Sequence, residues 1–199
     1  QIVPDDNSCL FSSIAVVFEQ DISKASTIRK IVADAIRNDP DTWSDAILGR
    51  PRADYISAIL SPNTWGGAIE LTILATHYAT EIASVDVETG RVDRFTPLAG
   101  AGNRVLLIYS GIHYDAALLA PELGVPEEWC ASIVPVGSDA ADPNLSALKA
   151  LAGKLRVKRQ YTNTTTFDLK CEVCGKGLKG EKEARAHASE TGHIKFGEY

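Results

Sequence analysis

From Cys9 to Phe18 the sequence Cys-Leu-Phe-Ser-Ser-Ile-Ala-Val-Val-Phe is apolar on nearly every side, which predicts a buried helix rather than a surface one. Asn7 and Ser8 stand just before it and are N-cap residue types. After Ser26 the pattern turns amphipathic. Ile28, Ile31, Val32 and Ala35 share one face of a helix predicted over Thr27–Arg37, with Ser26 as its cap. Pro40 ends that helix and opens a short one reaching Leu48. Arg52 to Leu60 reads as another helix. Asn63-Thr-Trp-Gly-Gly67 reads as a turn that feeds a helix from Ala68 to about Thr80.

The period then shortens to alternation. Glu81–Val87 and Arg91–Phe95 read as strands around a Glu88-Thr-Gly90 turn. Arg104 to Tyr109 is a short apolar run, hence a central strand, and His113–Leu119 is its partner after the Ser110-Gly111 turn. Glu127 to Pro135 adds a short segment. Asn144–Lys158 reads as a helix with Leu145, Leu148 and Leu151 in step. The polar run 162–166 follows as a junction. The sum is an α/β (α+β) body over 1–153, a helix end and linker over 154–166, and a small module over 167–199.

Composition narrows the class. The 199 residues are 45% apolar and 23% charged, which excludes a largely disordered chain. No apolar run approaches the roughly 20 residues of a membrane span. Gln1-Ile2-Val3-Pro4 lacks the basic and apolar regions of a signal peptide. With no Met, even at position 1, a processed or cut chain is expected. The net charge of −6 is uneven: residues 1–153 are acidic and residues 154–199 basic. An acidic body repels nucleic acid and suits a basic partner, and the basic end does the opposite.

Cys171 and Cys174 are followed by His187 and His193 in the pattern C-x2-C-x12-H-x5-H. That spacing fits a tetrahedral Cys2His2 zinc site, closed and therefore structural. A disulfide or redox reading of the pair leaves both histidines unexplained. The two histidines sit on a helical segment (Glu181 to Ser189) and just past its end. Leu169, Leu178 and Ala184 occupy the positions where a small ββα finger keeps its minimal core. Its base-reading positions fall near Gly180, Glu183 and Ala186, a poor set for bidentate base contacts. Lys154–Arg159 can touch phosphates, or can be the solvated cationic end of a helix.

In the body, Cys9 begins a buried helix, where backbone N–H groups and the helix dipole favour a thiolate and can hold an oxyanion. A nucleophilic thiol needs a base, and the base an orienting group. Of the histidines left over by zinc, His77 lies inside an amphipathic helix, while His113 follows a buried strand and a glycine turn. Asp115 falls on the same side of a strand as His113 and can fix its tautomer; Asp6, three residues before Cys9, is the other orienter. On spacing alone a lone cysteine is more often packing than nucleophile. Cys130, in Glu-Glu-Trp-Cys, reads as packing.

Three segments carry a family resemblance. Pro4-Asp5-Asp6-Asn7-Ser8-Cys9-Leu10-Phe11 resembles the cysteine loop of the ovarian-tumour (OTU) deubiquitinases. Thr64-Trp65-Gly66-Gly67-Ala68-Ile69-Glu70-Leu71 resembles their middle motif, and Val105 through Ile112-His113-Tyr114-Asp115 their histidine loop. With the finger, the chain resembles the subgroup that ends in a Cys2His2 module. The resemblance implies a papain-like cysteine protease fold that cleaves the isopeptide bond after the C-terminal glycine of ubiquitin, in polyubiquitin chains. It implies Cys9 as nucleophile, His113 as base, and Asp6 within the site; geometry favours Asp115 as orienter. Trp65, Ile112 and Tyr114 are expected to wall the channel for the ubiquitin tail. The expected cofactor is one structural Zn2+, with none for catalysis.

The family also implies work in endoplasmic-reticulum-associated degradation, in the cytoplasm and also the nucleus. It implies docking on the valosin-containing AAA+ unfoldase through a UBX-like domain, which has no counterpart in these residues. That docking is expected of the family rather than of this chain. Neither a membrane nor nucleic acid is an expected partner. The rival classes are a nucleic-acid-binding protein, a non-catalytic ubiquitin adaptor, and a thiol hydrolase acting on another acyl substrate.

Overall fold

The structure is a computed structural model that describes residues 1–137, 142–163, 168–193 and 195–198. The body opens with α1 (Cys9–Glu19), buried from Cys9 to Val17 as its uniformly apolar sequence requires. Ser8 occupies the N-cap position, but its side chain does not cap; Arg29 takes up its hydroxyl oxygen instead. A 3-10 turn (Ile22–Lys24), capped by the Asp21 carboxylate, leads straight into α2 (Ala25–Asn38). Ser26 therefore lies inside α2 and is not its cap, because Asp21 has already ordered the chain one turn earlier. α2 buries Ile28, Arg29, Val32, Ala33 and Ile36, a face rotated from the expected one, with Ile31 half-buried at its margin.

Three more helices follow: α3 (Asp45–Leu48), α4 (Arg52–Leu60) and α5 (Ala68–His77). At the start of α5 the buried Glu70 accepts the Gly67 N–H at 2.7 Å and the Tyr55 hydroxyl at 2.5 Å, which pins α5 to α4. Gly66 is required by close approach, since a Cβ there would sit 2.9 Å from the Phe11 ring of α1.

A five-stranded sheet forms the centre: β1 (Glu81–Asp86), β2 (Val92–Phe95), β3 (Asn103–Tyr109), β4 (Tyr114–Ala117) and β5 (Ile133–Pro135). The order is β2-β1-β3-β4, with β1 and β3 parallel. β5 lies along the same edge of β3 as β4, pairing its first residues while β4 pairs its last. Alternation separates two faces. Ile82, Val105, Leu107 and Ala116 join the cluster of α1, α2 and α5, whereas Ala83, Val85, Leu106 and Ile108 pack on α6 (Pro143–Val157) through Leu145, Leu148 and Ala152. Asp142, unremarked in the sequence, caps α6 and pairs with the fully buried Arg104, which also holds Glu81 at 2.5 Å.

In the basic run, Arg156 donates to the Val87 carbonyl at 2.6 Å, so the end of α6 is docked rather than merely solvated. Of the junction run 162–166, residues 164–166 lie outside the described residues.

The finger holds β6 (Asp168–Cys171), β7 (Gly177–Lys179), α7 (Gly180–Thr191) and β8 (Phe196–Glu198). Its sheet has three strands rather than the two of a ββα unit, because β8 returns along the free edge of β6. Leu169, Leu178 and Ala184 form the minimal core, with Phe196 of the added strand packed on it. The Glu183 carboxylate accepts the Lys179 N–H at 2.7 Å, so it is spent on the start of α7 rather than offered to a base. No helix among the described residues is long and apolar enough to cross a membrane.

Candidate active site

Cys9 is the first residue of α1 and is buried. Its backbone enters the helix through a tight loop in which Asp6 N–H bonds the Pro4 carbonyl, Cys9 N–H the Asp6 carbonyl, and Ser8 N–H the Asp6 carboxylate at 2.8 Å. Asp6 therefore spends its side chain on shaping the cysteine loop. The carboxylate that meets His113 is Asp115, which lies 3.1 Å from Nε2. Asp115 also accepts the Val3 N–H at 2.9 Å. Of the two orienters read from the sequence, the structure brings Asp115 and not Asp6 to the imidazole.

The other imidazole nitrogen, Nδ1, is buried, has no hydrogen-bond partner that meets normal geometry, and lies 3.6 Å from the Asp5 carboxylate. His113 is raised from 6.5 to about 10, first by the Asp115 hydrogen bond and next by its contact with the Cys9 thiol. Burial pushes the Asp115 carboxyl up, but the hydrogen bonds from His113 and Val3 outweigh it and hold the group below its ordinary value. His113 thus holds its proton at neutral pH beside the buried Cys9 thiol.

Three contacts hold the two halves in register. Ser13, one turn beyond Cys9 and fully buried, donates its hydroxyl to the Tyr114 carbonyl at 3.0 Å, tying α1 to the strand after His113. Gly111 turns the histidine loop at φ +105°, and a Cβ there would overlap the Thr162 carbonyl, so only glycine fits. Thr162 N–H in turn bonds the Ser110 carbonyl at 2.7 Å. The Gly111 turn was read from the sequence, but its close approach to Thr162 and the Ser13 bond were not, since each joins segments far apart in the chain.

The expected channel residues separate. Tyr114 lines a cleft of about 340 Å3 with Ala68, Ser84, Asp93, Phe95 and Tyr109, and its ring packs on Tyr109 at 4.6 Å, tilted by 33°. Trp65 is exposed and lies against the cysteine loop, its indole N–H bonded to the Asn7 side-chain oxygen at 2.5 Å. Ile112 is half-buried in the histidine loop. Neither Trp65 nor Ile112 lines the Tyr114 cleft. His77 is exposed with its ring edge on Tyr78, as expected of a surface histidine. Cys130 is only half-buried and outside the hydrophobic clusters, which corrects its reading as packing.

In the finger, the donor atoms of Cys171, Cys174, His187 and His193 all lie within 4.8 Å of one another. Cys174 Sγ is 3.4 Å from His187 Nε2, and Cys171 Sγ 3.7 Å from His193 Nδ1. Bonds of about 2.3 Å to sulfur and 2.0 Å to nitrogen around a tetrahedral ion give S···N edges of about 3.5 Å. The four residues fit a zinc ion.

Comparison with known proteins agrees with both halves. The profile "OTU-like cysteine protease" matches residues 4–117, and "Ubiquitin thioesterase OTU1, C-terminal C2H2-type zinc finger" matches residues 165–199. An Arabidopsis thaliana protein named OVARIAN TUMOR DOMAIN-containing deubiquitinating enzyme 2 is 42% identical over 100% of this chain and 96% of its own. The putative ubiquitin thioesterase otu1 of Schizosaccharomyces pombe is 44% identical and the ubiquitin thioesterase OTU1 of Danio rerio 46%; this chain spans 58% and 65% of their lengths. The solved structure of an ovarian tumor (OTU) domain in complex with ubiquitin superposes with a TM-score of 0.70 at 31% identity, covering 81% of this chain and 88% of that one. A buried thiol facing an oriented imidazole, on this fold and with this terminal finger, places the chain in the OTU-like cysteine protease family.

Proposed function

We propose that this chain is a deubiquitinase that hydrolyses the bond after the C-terminal glycine of ubiquitin, in polyubiquitin chains, with Cys9 as nucleophile, His113 as acid and base, and Asp115 as orienter. The observation that carries the reading is the meeting of Cys9 at the start of α1 with His113, whose far nitrogen rests on Asp115. The relatives named as deubiquitinating enzyme and ubiquitin thioesterases, and the OTU domain solved with ubiquitin, support the choice of substrate.

The chemistry follows from the geometry. The Cys9 thiolate attacks the glycine carbonyl carbon, and the electron pair moves onto oxygen. Backbone N–H groups at the α1 N-terminus face the charge that develops there. With His113 raised to about 10, the proton needed by the leaving lysine amine is in place before the attack. The C–N bond breaks, the amine leaves with that proton, and a thioester remains on Cys9. Neutral His113 then takes a proton from water, whose oxygen attacks the thioester. The C–S bond breaks, leaving sulfur with the electron pair and His113 protonated, and the ubiquitin carboxylic acid gives its remaining proton to solvent as it departs.

Cys171, Cys174, His187 and His193 would hold one Zn2+, which would tie β6 to α7 and stabilise a module too small for a large apolar core. The test is cleavage of isopeptide-linked di-ubiquitin. Wild type is expected to release single ubiquitin, and Cys9→Ala and His113→Ala to leave the dimer intact. A folded wild type that leaves every linkage intact would overturn the proposal.

A further inference from the structure

Two arginines are buried in the body, and they are neutralised differently. Arg104 is fully buried between the carboxylates of Glu81 and Asp142. Arg29, on α2, is 3% exposed, and among the described residues no carboxylate lies within ion-pair distance of it. Buried cations are normally paired, because taking an unpaired charge out of water is costly. An unpaired one that persists needs another use.

The hydrogen bonds of Arg29 show where that use lies. Nη1 donates to the Ile59 carbonyl at 2.9 Å. Nη2 donates to the Asn7 carbonyl at 3.0 Å, to Ser8 Oγ at 2.9 Å and to the Pro62 carbonyl at 3.3 Å. The guanidinium also lies 3.9 Å over the Phe11 ring of α1. Asn7 and Ser8 are the two residues immediately before Cys9. The same Asn7 is held from the outside by the Trp65 indole. Arg29 and Trp65 thus grip the cysteine loop from its buried and exposed sides.

We propose that Arg29 is a positioning residue for the hydrolysis, its guanidinium fork fixing the loop of Asn7 and Ser8 so that the Cys9 thiol and the N–H groups beside it face the scissile carbonyl. The inference rests on Cys9 being the nucleophile. A planar fork matches several acceptors at once, which the single ammonium of lysine does not. The charge has a second effect. Burial lowers the guanidinium's pKa, while the neighbouring charges of Asp6, Glu70 and Cys9 raise it, so the cation and a Cys9 thiolate favour one another.

The two effects separate by experiment in the full chain. Turnover is read on ubiquitin carrying a fluorogenic C-terminal amide, normalised to the fraction of protein that a ubiquitin electrophile labels. Thiolate character is read as the pH dependence of Cys9 alkylation by iodoacetamide. Arg29→Gln is expected to lower kcat per labelled site about 10- to 100-fold, with KM changed less than about threefold, and to move the alkylation midpoint upward. Arg29→Lys keeps the charge and loses the fork, so its midpoint stays near wild type while kcat remains low. Ser8→Ala removes one acceptor and lowers kcat about three- to tenfold.

A folded Arg29→Gln with wild-type kcat per labelled site and an unmoved midpoint overturns the proposal. So does a loss confined to the labelled fraction, which would make Arg29 structural only. If Arg29→Gln does not fold, an unchanged kcat in Ser8→Ala decides against the proposal. A wild type that ubiquitin electrophiles do not label speaks against the deubiquitinase reading instead, and the alkylation arm still decides on Arg29.

Discussion

Cysteine and histidine meet twice in this chain, and the two meetings are built in opposite ways. In the finger, two thiols and two imidazoles from one short stretch converge on a common centre. Local spacing does the work: the end of β6 and the tight turn after it supply the cysteines, and α7 with the residues past its end supplies the histidines. In the body, one thiol and one imidazole come from segments far apart in the domain's sequence, and Ser13, Asp115 and Gly111 hold them together. The first arrangement fills every coordination position and leaves nothing open to a substrate. The second pairs one thiol with one imidazole, whose Nδ1 makes no normal hydrogen bond among the described residues. Similar side chains give a staple where they close on themselves and a reactive pair where they do not.

The comparison breaks most easily at the two cysteines. Cys9→Ala is expected to lower ubiquitin-amide hydrolysis by about a thousandfold or more while leaving the finger folded. Cys174→Ser is expected to do the reverse, with turnover on single ubiquitin within about threefold of wild type. Steady-state rates and hydrogen exchange over residues 168–193 check both. If the two variants fail alike, the regions are not independent.

Asp115→Asn comes next, with a loss of about a hundredfold to a thousandfold in kcat, because the histidine loses the partner that fixes its tautomer. Its sign in pH is fixed too. Asp115 is the largest cause of the raised His113 value, so the alkaline limb of kcat/KM should move down from about 10 toward 6.5. An unmoved limb would mean that some other group orients the imidazole. Asp6→Asn should leave this limb in place, since the Asp6 side chain serves the Ser8 N–H.

Metal removal sharpens the other side. A chelator should erase amide protection across β6, β7 and α7, because zinc binding in such small modules supplies about 10 kcal/mol or more of their folding free energy. Labelling of Cys9 should continue at its normal rate. Protection that survives chelation would mean that Leu169, Leu178, Ala184 and Phe196 suffice as a core.

Much of this was legible in the chain and some was not, for physical reasons. Helical and short apolar patterns marked α1, α5, α6, β1 and β3 because each buries one face or all of itself. The metal set was legible because its ligands are close in sequence. The start of α2 was misplaced because a 3-10 turn capped by Asp21 precedes it. β8 was missed because three residues carry too little period to read. Arg29 was missed because a cation beside Ile28 reads as solvent-facing until the acceptors it meets, on segments distant in sequence, are known. The choice between Asp6 and Asp115 was open for the same reason: only the folded loop shows that the Asp6 carboxylate is already in use.

The smallest effect is on stability. His113 is raised, so its contribution is fully present below 6.5 and lost as pH rises toward about 10. Asp115 is lowered, so its contribution is present above 3.8 and lost as pH falls through its lowered value. Asp115→Asn should flatten both limbs of the melting temperature against pH. A wild-type profile in that variant would contradict the pairing.

The most direct measurement is intact mass after mixing the protein with ubiquitin bearing a C-terminal electrophile, beside Cys9→Ala and Cys130→Ala. The account predicts one added ubiquitin on wild type and on Cys130→Ala, and none on Cys9→Ala. An adduct that persists on Cys9→Ala, or its absence from folded wild type, would contradict it.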